Sequence, residues 1–205
     1  MKYNNGTSRK TIYWIRHGES LSNTSELNSQ IIDPGLTANG ISQCENLKRY
    51  IESMQIDNSI DLVITSSLTR ALETCSNVFV NLIYRVKFIC LDEIREQMDK
   101  PCHKRKILSK NKTKNNNNNN NKYKFIDFSN VPEHDIMYAK TNGSESKSEV
   151  TDRCEWFIKW IGKRSESNIV VITHGNFLFP MFNNVLTNVS NKTFFSNCEL
   201  RILEL

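Results

Sequence analysis
Apolar residues recur along this chain in two alternating rhythms. Short β-rich runs occupy residues 11–15 (Thr-Ile-Tyr-Trp-Ile), 61–65 (Asp-Leu-Val-Ile-Thr), 86–91 and 169–173 (Ile-Val-Val-Ile-Thr), and a last one falls near 198–204. Each is short, nearly continuous and bounded by polar residues, as expected of buried strands. Between them the period lengthens to that of a helix. Thr37 is placed to cap a helix whose apolar positions are Ile41, Cys44, Leu47, Ile51 and Met54. A second helix follows Ser66-Ser67 and runs to about Val80. A third opens at Ser146-Lys-Ser-Glu149, a capping-box pattern, and carries Val150, Cys154, Phe157, Ile158 and Ile161 to about Gly162. A fourth runs from Gly175 to about Leu186. Strands alternating with helices predict an α/β fold, a three-layer α/β/α sandwich with a mostly parallel central sheet.

The 205 residues fit one domain, 1–205, interrupted at about 109–122 by an Asn/Lys-rich stretch with seven consecutive Asn. That stretch has nothing to bury and is expected to be a disordered insertion. It also colours the composition. The net charge of +5 falls close to neutral once Lys104, Arg105, Lys106, Lys110, Lys112 and Lys114 are set aside. The basicity therefore suits an anionic substrate but does not argue for nucleic acid. The six cysteines, at 44, 75, 90, 102, 154 and 198, show no metal-ligand spacing. They read as small buried residues in a reducing compartment. No run is long enough to span a membrane, and residues 1–10 lack the apolar core of a secretory signal, so the expected location is the cytoplasm.

Candidate chemistry sits where three of the strands end. Arg16-His17-Gly18-Glu19 follows the first, Ser66-Ser67-Leu68-Thr69-Arg70 the second, and His174-Gly175-Asn176 the run at 169–173. In open parallel sheets ligands bind at the carboxyl ends of the strands. Two of the chain's four histidines stand there before a glycine, with two arginines beside them. Guanidinium groups and backbone N–H groups converging on one spot suit a phosphate.

With these residues in hand a family comes into view. Arg16-His17-Gly18-Glu19-Ser20 with Asn23, Leu36-Thr37-x-x-Gly40, Ser67-x-x-Arg70-Ala71-x-x-Thr74 and Thr173-His174-Gly175 resemble, in order, the motifs of the histidine phosphatase superfamily, the phosphoglycerate mutase-like proteins. Ile94-Arg95-Glu96, Pro101-Cys102-His103-Lys104-Arg105 and Asn197-Cys198-Glu199-Leu200-Arg201 resemble its plant- and fungus-type branch.

The resemblance implies that His17 is a nucleophile that becomes a phosphohistidine, with Arg16, Arg70 and His174 binding the phosphoryl oxygens and Asn23 a further donor. It also implies a carboxylate acid after the third strand. Glu93 and Glu96 both stand there, and Asp92-x-Ile94-Arg95-Glu96 favours Glu96, although the usual nearby glycine is missing. Glu19 is expected to be structural. Thr173 is open between a site and a strand role. Lys104 and Arg105 are open between a second-anion contact and a solvated loop, the loop favoured. A nucleophile of this kind must be a neutral imidazole, which neighbouring guanidinium charges promote. No cofactor and no metal are expected, so activity should survive a chelator. Three functions remain: phosphatase, favoured because Glu96-Gln97-Met98-Asp99 replaces the mutase-type sequence; mutase; and an inactive binding module. The partner expected is a small phosphorylated substrate or a phosphoprotein, with the chain a monomer or homodimer.

Overall fold
A computed structural model describes residues 9–108, 122–186 and 189–205. The Asn-rich stretch, apart from Lys122, lies outside the described residues. In chain order the elements are β1 (Thr11–Arg16), α1 (Ala38–Ser53), β2 (Leu62–Ser66), α2 (Thr69–Phe79), β3 (Lys87–Leu91), β4 (Ile126–Asp127), α3 (Ile136–Thr141), α4 (Lys147–Gly162), β5 (Asn168–Thr173), α5 (Gly175–Pro180) and β6 (Leu200–Glu204). A π-helical turn, Met181–Val185, continues α5. The strands form one sheet in the order β4-β3-β2-β5-β1-β6, parallel except for β6, which runs antiparallel to β1.

Alternation along the strands gives each face its own core. Tyr13, Ile15, Val63, Val170 and Ile172 point to one side, where Cys44, Leu47, Ile51, Leu72, Cys75 and Phe79 of α1 and α2 cover them. Ile12, Trp14, Leu62, Ile64, Ile169 and Val171 point to the other, against Val150, Cys154, Phe157 and Ile161 of α4 and Phe177 and Leu178 of α5. The three-layer sandwich is therefore as expected.

The helix starts are also as expected. The Thr37 hydroxyl accepts from Gly40 N at 2.9 Å. Ser146 and Glu149 form a reciprocal capping box, Ser146 N donating to Glu149 Oε2 at 2.7 Å and Glu149 N to Ser146 Oγ at 3.3 Å. The buried face of α1 differs from the expected one. It is Gly40, Cys44, Leu47 and Ile51, while Ile41 and Met54 are exposed. The cause is Gly40, whose missing side chain lets the helix press against the chain at Glu19; a Cβ there would lie 2.0 Å from the Glu19 carbonyl oxygen. That contact turns position 40 inward and its neighbour Ile41 out.

Candidate active site
Register brings the two strand-end histidines together. β1 and β5 are neighbours, and Arg16 pairs with Thr173. The His17 N–H extends the ladder by donating to Thr173 O at 3.0 Å. His17 and His174 therefore leave the sheet side by side, ring centroids 4.9 Å apart. β2 flanks β5 on its other edge, and its last residue, Ser66, supplies a hydroxyl 2.8 Å from His174 Nε2. Arg70, from the first turn of α2, reaches back to the same point, and both histidines and Arg70 are fully buried.

The hydrogen bonds specify the state of His17. Its Nδ1 lies 2.7 Å from the Gly18 carbonyl, an acceptor only, so the proton is on Nδ1. Its Nε2 is then the unprotonated nitrogen, and it accepts from Arg70 Nε at 3.2 Å. Burial, followed by the charges of Arg70 and Arg16, holds the His17 pKa well below its ordinary value of 6.5. His174 is lowered in the same way by burial and then by Arg70. Exclusion from water, more than the arginine charges expected to do so, keeps the imidazole neutral. Arg16 donates to Phe195 O at 2.6 Å, and its guanidinium lies 5.4 Å from the centre of the Phe194 ring.

Of the two candidate acids after β3, Glu93 and Glu96, it is Glu96 that faces this cluster. Its charge acts on Arg16, Arg70 and His103. Its Oε1 accepts from Asn176 N at 2.9 Å and Gln97 N at 3.0 Å. Glu93 looks elsewhere: its charge partners are Asp92 and Arg153, and burial raises its pKa. The Glu96 loop is fixed from behind. Arg153 of α4 donates to the carbonyls of Glu93 and Arg95 at 2.6 and 3.0 Å while gripping Glu145 at 2.7 and 2.8 Å. Arg95 holds Asp135 with two bonds of 2.7 and 2.9 Å and the His103 carbonyl at 2.5 Å.

Other expectations resolve as follows. Asn23, expected among the substrate-binding residues, is exposed, and its Oδ1 accepts from both the N–H and the hydroxyl of Ser20 at 3.0 Å. Glu19 is tied to Thr37 and Asn39 at 2.7 and 3.1 Å, a structural placement. Thr173 donates to Ile94 O at 2.5 Å, joining β5 to the Glu96 loop. Arg105 is not in a solvated loop. It is buried, bonded to Asp92 at 3.2 Å and to the Pro132 carbonyl at 2.7 Å. Lys104 is exposed, 5.8 Å from the Tyr138 ring centre.

One residue quoted in the resemblance without a role also acts on this cluster. His103 is buried in the turn Pro101–His103, and its charge acts on His17 and His174. Burial opposes that charge, but Asp99, with Oδ1 2.9 Å from Nδ1, and Cys102 push the pKa up to about 8. The i, i+4 placement of Asp99 and His103 was the available signal. Arg70 pins the same turn by donating to the Cys102 carbonyl at 3.2 Å.

The profile of the histidine phosphatase superfamily (branch 1) matches residues 12–205, taking in every element of this site. The chain belongs to that superfamily. A phosphoglycerate mutase-like protein of Arabidopsis thaliana is 25% identical over 232 residues, covering 94% of this chain and 83% of the relative. Among solved histidine phosphatase folds, the alpha-ribazole phosphatase of Shigella flexneri superposes with a TM-score of 0.61 at 18% identity, covering 94% of this chain and 89% of that one. A phosphoserine phosphatase of Entamoeba histolytica, in complex with phosphoserine, gives 0.56 at 18% identity, with coverage of 94% and 89%. Members of the superfamily of this kind are phosphatases or mutases. No helix among the described residues is long and apolar enough to cross a membrane.

Proposed function
We propose that this protein is a phosphatase that hydrolyses a phosphomonoester through a phosphohistidine on His17. One observation carries the reading: the unprotonated Nε2 of a buried, neutral His17 is aimed at the guanidinium of Arg70. A phosphoryl group held by that guanidinium presents its phosphorus to the lone pair. Arg16 and His174 complete the cradle for the oxygens, and their charge and hydrogen bonds grow in value as the transition state forms. His103, cationic below about pH 8, adds positive charge to the same space.

In the first half-reaction the N–P bond forms as the P–O bond breaks, and the Glu96 carboxyl gives its proton to the departing alkoxide. In the second, Glu96 as carboxylate takes a proton from water, whose oxygen displaces His17 from phosphorus and releases phosphate. Positive side chains supply the charge stabilisation, so the scheme needs no metal ion. Small phosphorylated compounds are the substrates proposed.

The phosphatase neighbours in the fold support this reading, while the names of the Arabidopsis thaliana relatives keep mutase chemistry as the second. Purified protein assayed with p-nitrophenyl phosphate and phosphoglycerate in a chelator tests both. Phosphate release that nearly vanishes in His17→Ala is expected. Isomerisation of phosphoglycerate faster than its hydrolysis would establish the mutase, and a folded but inert wild type would overturn both readings.

A further inference from the structure
A cavity of about 300 Å³ is lined in part by residues adjacent to Glu96 in sequence or bonded to it. Its lining includes Gln97, the residue after Glu96, and Asn176, whose N–H holds Glu96 Oε1. From there it runs outward between α4 and α5 along Val150, Phe179 and Phe194, with Lys147 at its rim. The two phenylalanine rings are about half-exposed and lie 6.0 Å apart, centre to centre. Phe194 spans from this cavity to the phosphate cradle, since Arg16 sits over the same ring. It comes this close because residue 175 is glycine: a Cβ there would lie 2.6 Å from two carbons of the Phe194 ring.

Resting on the phosphatase reading, we propose that this cavity receives the leaving group of the substrate, and that the leaving group is an alcohol bearing an aromatic ring. The group that protonates a departing alkoxide must face it, so the leaving group lies on the Glu96 side of the phosphorus and away from His17. Glu96 is bonded to Asn176 in the wall of this cavity, while its charge acts on Arg16 and Arg70 of the cradle. The cavity's other walls are two phenylalanines, a valine and Pro180, surfaces that bind a flat apolar ring by stacking and by its removal from water. The polar lining is carboxamide, and among the described residues the only charged one lining the cavity is the exposed Lys147. Such a wall suits a ring far better than a second phosphate or a sugar acid, which would ask for several cations.

The test compares ligands that differ only in the ring. Binding of 3-phenylpropylphosphonate and butylphosphonate, which cannot be hydrolysed, is measured by calorimetry on wild type, Phe179→Ala and Phe179→Leu, each checked for an unchanged melting curve. The corresponding phosphates, 2-phenylethyl and propyl, are assayed for turnover. The expectation is binding about tenfold tighter for the phenyl ligand, the scale of burying part of a ring. In Phe179→Ala that ratio collapses towards one, and in Phe179→Leu it is intermediate. Equal binding of the two phosphonates by wild type, or a preference that Phe179→Ala leaves intact, overturns the proposal. A phenyl preference that depends on Phe179, without turnover of either phosphate, supports the ligand class and refutes the phosphatase reading instead.

Discussion

His17 and His174 are buried as neutral imidazoles, and acid should expose the cost of keeping them so. In the unfolded chain each titrates near its ordinary value of 6.5, whereas in the folded protein burial and the neighbouring guanidinium charges hold both well below it. Above pH 6.5 they are neutral in both states and contribute nothing to pH dependence. As the pH falls below 6.5 the unfolded chain takes up protons that the folded protein refuses, so stability falls. Each histidine then removes up to about 1.4 kcal/mol per pH unit for as long as it stays neutral in the folded protein, which sets an upper bound of about 2 kcal/mol at about pH 5 and about 4 kcal/mol for the pair. His103 works in the opposite sense. Its folded pKa is raised to about 8, so its stabilising contribution is complete below 6.5 and is lost as the pH rises through about 8. Between about pH 7.5 and pH 5 it returns about 1 kcal/mol. Asp99 and Asp135, whose pKa values lie below 3.8, change only in stronger acid.

Urea unfolding of wild type, His17→Gln and the His17→Gln/His174→Gln double variant at the two pH values separates these contributions, because every group other than the replaced histidines is common to all three. Wild type should lose up to about 2 kcal/mol more than the single variant, and up to about 4 kcal/mol more than the double variant, between about pH 7.5 and pH 5. Stability curves that run parallel would refute the reasoning and, with it, the neutral nucleophile.

Other expected outcomes follow from named contacts. Glu96→Gln keeps acceptors for the Asn176 and Gln97 N–H groups but has no proton to give; kcat towards alkyl phosphates should fall about 10²- to 10⁴-fold with little change in KM, whereas Glu93→Gln should be near wild type. Arg153→Met leaves the buried Glu145 carboxylate unpaired and should cost about 3–5 kcal/mol in urea unfolding. It should also lower kcat, since the Glu96 loop loses two carbonyl clamps. Gly40→Ala forces a methyl group against the Glu19 carbonyl and should destabilise by about 1–3 kcal/mol, read as a lowered melting temperature.

Much of this architecture was legible in sequence because it is local. The five longer strands, the Thr37 cap and the Ser146 capping box are written in adjacent residues or in short periods. The pairing of His17 with His174 was legible as well, for both follow buried strands of a parallel sheet. What the sequence hid depends on partners far along the chain. The grip of Arg95 on Asp135 and of Arg105 on the 132–134 carbonyls joins residues about 30 to 40 positions apart, so a local reading took Arg105 for a loop cation. β4 is two residues long and has no period to detect. The inward face of α1 was misjudged because glycine carries no hydrophobic signal, although a close backbone approach at Gly40 orients the helix. The turn that Asn23 closes through Oδ1 onto Ser20 was likewise not read from the sequence.

The central claim is that a phosphoryl group passes through His17 Nε2. Brief mixing with a radiolabelled phosphomonoester, quenching in base, and peptide mapping tests it directly. The account predicts label on the peptide carrying His17, stable to base and lost in acid as for a phosphohistidine, and absent in His17→Ala. Turnover by wild type with no trapped label, and comparable turnover by His17→Ala, would contradict it.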